Sequence, residues 1–261
     1  MLSYGPLEAY GYHALEALQA MVERRRGGEA GIAAVRCLEG EAVWETASQG
    51  QWPVYLAEEA LQVVDLVNAK HWQYSDNDSV TKMSKDSALP TLREAAGTDA
   101  ALFLIECADG FTCTVLHCQG EGCIVGSWAY AASIAGEVVS CGYNANTPPN
   151  QTPFSYLSLS IEKMFLSGVA TWPLERTLLT TGALDALMRS RHADHTRLET
   201  PELIIPYAPS TVVLPIRPTN PRPRGASIEA SPELLADHPT PGEHPTEILT
   251  GKMLQRQQSK L

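Results

Sequence analysis

The residues best suited to chemistry lie together in one short stretch, Tyr10-Gly11-Tyr12-His13-Ala14-Leu15-Glu16. A histidine ionises near neutral pH, so His13 can take a proton from a hydroxyl group or return one. Tyr10 and Tyr12 flank it with phenol groups that can hydrogen-bond a polyol. Glu16 follows at nearly one helical turn, close enough for a carboxylate to orient an imidazole. The ordinary readings stay open beside these: a histidine packed against its helix neighbours, two half-buried tyrosines, and a glutamate on a solvated face.

Other constellations point to less. His192-Ala193-Asp194-His195 could offer a metal pair, but its position just past a helical stretch reads as a polar loop. Glu175-Arg176 reads as a surface or interface ion pair. Arg24-Arg25-Arg26 ends a helical stretch, where cations complement the helix dipole; a phosphate clamp is the alternative. There is no Gly-x-Ser-x-Gly elbow and no Cys–His arrangement for nucleophilic catalysis. A dinucleotide site needs a strand, a glycine-rich turn and a helix opening on the pyrophosphate. Gly27-Gly28 follows a helix instead of opening one, and Gly120-Glu121-Gly122 lacks the third glycine.

Composition narrows the class. The chain has 261 residues, is 44% hydrophobic and carries a formal charge of −11. That size supports a substantial core, and that charge argues against nucleic acid as a partner. No run approaches the roughly 20 apolar residues of a membrane span. The start, Met1-Leu2-Ser3-Tyr4-Gly5-Pro6, lacks the pattern of a signal peptide. Six cysteines, mostly in apolar strand-like runs and without a Cys-x-x-Cys pair, read as reduced thiols of a cytoplasmic protein.

The positioning elements follow from periodicity. Residues 7–26 show a helical stripe through Leu15, Leu18, Met21 and Val22, capped by Gly27. Ile32–Leu38 reads as a strand, 54–67 as a weaker helix, and 68–99 as a long polar loop. Two strand runs, 101–107 and 111–116, flank Asp109-Gly110, a strong hairpin signal. A second pair, 123–134 and 138–143, turns at Ala135-Gly136-Glu137. Helices are expected over 154–167 and 173–190, and a last short strand at Leu203-Ile204-Ile205. The expected class is α+β: an open, mainly antiparallel sheet covered on one face by helices, forming one domain over residues 1–209. From Pro215 to Pro245 prolines recur, so 210–261 is expected to be a disordered tail.

This layout resembles the C-terminal domain of the glucose–fructose oxidoreductase/inositol dehydrogenase (Gfo/Idh/MocA) family. The resemblance rests on Gly11-Tyr12-His13-Ala14-Leu15-Glu16, on the glycine break Gly27-Gly28 before the strand at Ile32, and on Glu106-Cys107-Ala108-Asp109-Gly110. It extends to Ile161-Glu162-Lys163-Met164-Phe165-Leu166-Ser167-Gly168, to Trp172-Pro173-Leu174-Glu175-Arg176 and to Ala186-Leu187-Met188-Arg189-Ser190. Together these cover roughly residues 5–208.

The resemblance implies the substrate-side domain of an NAD(P)-dependent sugar or polyol oxidoreductase. His13 would be the catalytic acid/base, with Tyr10, Tyr12 and Glu16 beside the substrate. Two features depart from the family. The aspartate it places four residues before the histidine is Ala9 here, and its catalytic lysine lies on a preceding nucleotide-binding (Rossmann) domain that has no counterpart in this sequence. The chain is therefore expected to be incomplete as a catalyst, with NAD or NADP bound only alongside a separate nucleotide-binding subunit and none bound alone. The alternative is a non-catalytic oligomerisation or interaction module of the same descent, a homo-oligomer joined through the sheet face.

Overall fold

The architecture follows from the residues of β3, Ala101–Cys107. Ala101, Leu102 and Phe103 are all wholly buried, so this strand meets protein on both faces. Such a strand must lie between two layers. Alternation deals its side chains to two cores, with Ala101, Phe103 and Ile105 in one and Leu102 in the other. The structure is a computed structural model that describes residues 1–64, 91–143 and 152–210.

Beside β3 run β1 (Leu2–Tyr4), β2 (Ile32–Glu39), β4 (Thr112–Cys118), β5 (Trp128–Ile134), β6 (Glu137–Tyr143) and β7 (Leu198–Glu199). Their spatial order is β6-β5-β1-β4-β3-β2-β7. Only β1 and β4 run parallel; the other pairings are antiparallel. The expected class, α+β with an open, mainly antiparallel sheet, is the one observed. The helical cover on one face is α1 (Leu7–Val22) with α6 (Leu174–His192), which bury Leu15, Leu18, Leu179 and Leu187; of the two helices expected there, 154–167 and 173–190, the second is α6. A second layer, α2 (Glu41–Ser48), α3 (Val54–Leu61) and α4 (Leu92–Ala96), packs Val43, Ala60 and Leu92 on the other.

Several elements differ from their sequence reading, each for a local reason. β1 is too short to show alternation, yet its pairing Leu2↔Leu116 puts it in mid-sheet. α4 lies within the expected loop 68–99. Thr91 and Glu94 cap it reciprocally, a Thr-x-x-Glu signature legible in the sequence. Residues 123–127 do not extend β5, because Ile124 N–H is drawn to Ala95 O (3.1 Å) beside α4. The last strand is not Leu203-Ile204-Ile205. Leu198 and Glu199 pair with β2 instead, and Pro201–Leu203 forms a 3-10 turn, Pro201 having no N–H for a ladder. Residues 65–67 of the weaker helix, 68–90 of the loop and 211–261 of the tail lie outside the described residues.

The chain divides into two compact units, Met1–Asn144 with Trp172–Pro209, and Ala145–Thr171 with Ser210–Leu261. The second contains α5 (Thr152–Ser167), expected among the helices covering the sheet. Gly168 closes that helix with a bond from its N–H to Met164 O (2.8 Å). Ser160 of α5 is buried, while Leu157, Ile161 and Phe165 are exposed.

Gly31 joins the start of β2 to the segment after β7. Its φ is +96°, and a Cβ there would stand 2.4 Å from Ile205 N and 2.5 Å from Leu203 O. Gly27 has a similar φ of +95° but no neighbour within 4 Å. Gly27→Ala should therefore lose only about 1–2 kcal/mol of stability, from added conformational strain. Gly31→Ala should lose roughly 3 kcal/mol or more, because backbone must also move. Urea denaturation of the two variants checks the order; equal losses would show that the close approach at Gly31 is unimportant.

Candidate functional site

α1 spreads the predicted residues around its outer side: His13 points to solvent, Tyr10 flanks it towards β5, and Tyr12 and Glu16 lie towards α6. Leu7, Ala14, Leu15, Leu18 and Val22 go inward, which leaves His13 exposed and Tyr10, Tyr12 and Glu16 half-buried. The His13 ring is bordered by three aromatic rings: Tyr10 at 5.9 Å, Tyr12 at 6.1 Å and Trp128 of β5 at 6.3 Å, all near edge-on. Tyr10 stacks on Trp128 (6.0 Å, 22°), and Tyr4 packs against both, at 5.3 and 4.8 Å. Trp128 is oriented by its indole N–H, which donates to Ser3 Oγ at 3.1 Å. Burial pushes the Tyr4 phenol up to about 12, so it stays neutral.

The structure brings His13, Tyr10 and Tyr12 together and adds Trp128, which sequence reasoning missed. It gives Glu16 a different partner: Thr180 Oγ1 of α6 donates to its carboxylate at 2.5 Å. Burial and the neighbouring Glu16 carboxylate push the Tyr12 phenol up. Among the described residues, no hydrogen bond or ion pair engages the His13 ring nitrogens. A small cavity with room for about one water lies elsewhere, between α1, α6 and the sheet, lined by Leu15, Gln19, Cys107, Cys113 and Thr180 among others.

A second constellation was not legible in the sequence. Glu23, at the end of α1, is wholly buried and receives Arg176 of α6 through two bonds, Nε at 2.9 Å and Nη2 at 2.6 Å. Tyr207 Oη donates to the same carboxylate at 2.9 Å. Buried Glu29 accepts from Gln19 Nε2 (2.6 Å), Gly31 N–H (2.8 Å) and Arg25 Nη1 (3.0 Å). Arg25 also reaches Asp109 in the β3–β4 turn at 2.9 Å and holds that carboxyl below its usual range. The two buried carboxylates are thus saturated by donors, so this network clamps the end of α1 to α6, to the Tyr207 segment and to the β3–β4 turn, and offers no free base.

One sequence reading is corrected here. Arg176 is not a surface ion-pair residue, because its partner lies across the unit at Glu23. Arg25 keeps the expected helix-end role, Nη1 donating to Val22 O at 2.9 Å, and is not a phosphate clamp, its other contacts being Glu29 and Asp109. His195 ties its Nδ1 to Cys37 O at 2.9 Å. Among the described residues no three metal-ligating side chains cluster. All six cysteines are free; Cys37, Cys107 and Cys118 are buried, and burial raises the Cys37 thiol to about 12.

His117, also unsignalled, sits wholly buried on β4 opposite Ser3 of β1. Its Nε2 lies 2.6 Å from Gly5 O, and its Nδ1 has no partner. That carbonyl requires the proton on Nε2, so the neutral ring leaves Nδ1 a bare acceptor. Burial lowers its pKa to about 4. Compared with protein-family profiles, with curated proteins and with solved structures, the chain matches none.

Two outcomes follow. Arg176→Met strands the Glu23 carboxylate and should destabilise the fold by about 3–5 kcal/mol, most of it recovered in the double variant Glu23→Leu/Arg176→Met. Equal losses in the single and double variants by urea denaturation would contradict the clamp. The His117 pKa falls from 6.5 in the unfolded chain to about 4 in the fold. The unfolded state therefore binds the proton first, and about 3 kcal/mol of stability is lost as pH falls from 6.5 to 4. His117→Gln should flatten that slope in urea titrations at stepped pH.

Proposed function

We propose that this chain is the substrate-side unit of an NAD(P)-dependent sugar or polyol oxidoreductase, acting with a nucleotide-binding fold that these residues do not themselves contain. The observation that carries the reading is the solvent-facing imidazole of His13, bordered by Tyr10, Tyr12 and Trp128. Such rings suit the C–H face of a sugar, with the imidazole at hydrogen-bonding height beside them. A nicotinamide bound by the partner would supply the hydride acceptor. His13 takes the proton of the substrate hydroxyl; Tyr10 and Tyr12 orient the remaining hydroxyls. Glu16 acts on this site through Tyr12, since Thr180 already binds it. Among the described residues the β2–α2 junction carries Gly40 alone, not a glycine-rich nucleotide turn, which supports a partner for NAD or NADP.

The free thiols fit a cytoplasmic protein, and among the described residues no helix is long and apolar enough to cross a membrane. A second reading has its own support: a non-catalytic module that self-associates through its sheet. Ile134, Val138 and Val139 of the β5–β6 hairpin are exposed apolar residues.

Titration of NAD(H) and NADP(H) into the chain alone, and into the chain with a candidate Rossmann subunit, tests the first reading. Binding and turnover of a sugar panel are expected only in the mixture, with His13→Asn lowering the rate about 10²–10⁴-fold. No nucleotide binding in either case defeats the catalytic reading and leaves the module.

A further inference from the structure

The two edges of the sheet are finished differently. At one end β7 is two residues long, one of them the charged Glu199, with Arg197 just before it and Pro201 just after. These are the devices that stop a strand from recruiting another. At the other end β6 runs for seven residues, Glu-Val-Val-Ser-Cys-Gly-Tyr, all exposed save the half-buried Tyr143. It has no lysine, no proline and a single charge at its first position. Its register with β5 is unbroken from Trp128↔Tyr143 to Ile134↔Glu137, and among the described residues no strand pairs with its outer side.

That register determines which backbone groups face outward. Ala135 and Gly136, at φ 53° and 88°, form a two-residue turn of the kind whose closing pair is hydrogen-bonded. Glu137, Val139, Cys141 and Tyr143 therefore bond to β5, and the N–H and C=O groups of Val138, Ser140 and Gly142 point away. We propose that β6 is a dimerisation strand: two copies of the chain join their sheets edge to edge, β6 antiparallel to β6 about a two-fold axis at Ser140. The outward groups then match themselves, Ser140 with Ser140 and Val138 with Gly142. Val139 meets Cys141 on the neighbouring strand, covering apolar surface that is now exposed, and the two Glu137 carboxylates lie at opposite ends of the ladder.

The difference between the edges argues for a second copy joined like to like. Head-to-tail addition needs an accepting strand at the other end of the sheet, and β7 is too short and too charged to accept. This inference rests on the reading that the sheet carries the self-contact, and it names the edge, not a face, as the surface.

Multi-angle light scattering over a concentration series, with circular dichroism to confirm folding, tests it on the full chain. Wild type should dimerise. Ser140→Pro removes an outward N–H while sparing the β5 ladder, and should raise the dimer dissociation constant more than about tenfold through lost hydrogen bonds. Val139→Lys, which leaves the backbone untouched, should do the same. A short bismaleimide should cross-link wild type through Cys141, the exposed cysteine, and not Cys141→Ser. A dimer that survives both substitutions and does not cross-link overturns the edge and leaves a face contact standing. A monomer at all concentrations overturns both.

Discussion

Burial of the central strands on both faces is the constraint from which the rest of the main unit follows. β2, β3 and β4 send alternate side chains into two separate cores, so neither face can be left to water. Two helices on one side and three on the other meet that demand where the strands are most apolar. The cover thins at β6: the end of α3 and the bond from Tyr143 Oη to Ala17 O of α1 (2.8 Å) reach it, but its other side chains are exposed. The open ground of the unit is therefore concentrated at one end of the sheet. There the exposed side of α1 meets β5 at His13 and Trp128, and there lies the strand edge that is unpaired among the described residues.

Polar groups caught inside this two-sided core are handled in two ways. Glu23 and Glu29 are buried but saturated, each held by an arginine and further donors, so their charge fastens α1 to α6 and to the Tyr207 segment. Such a network gains little over an apolar filling, but it punishes the loss of one partner. His117 is the opposite case. It is buried with one nitrogen bonded and the other bare, so it remains neutral. Neither group faces solvent.

The aromatic patch shows how a common helix motif acquires a particular environment. Tyr10 and His13 are three residues apart and share a helix face, so their proximity is local. Trp128 arrives from β5, more than a hundred residues later, because β5 pairs with β1 directly beneath the start of α1. Glu16 is the counterexample. Helical spacing brings it near His13, yet Thr180 of α6 captures its carboxylate.

The amino-acid sequence alone determined the elements whose signal is local: the stripe of α1, the Asp109-Gly110 and Ala135-Gly136 turns, the strands they join, and Pro173 before α6. It also brought His13 and Tyr10 to one helix face, with Tyr12 beside His13 on the turn. It could not show β1, whose three residues carry no period, nor that Arg176 and Glu23 would meet across 153 positions. It could not choose between Thr180 and His13 as the partner of Glu16, nor reveal which sheet edge would be blunted. Those outcomes depend on which distant segments pack together. Only chain closure decides that, because periodicity reports which face of an element is apolar and never what will cover it.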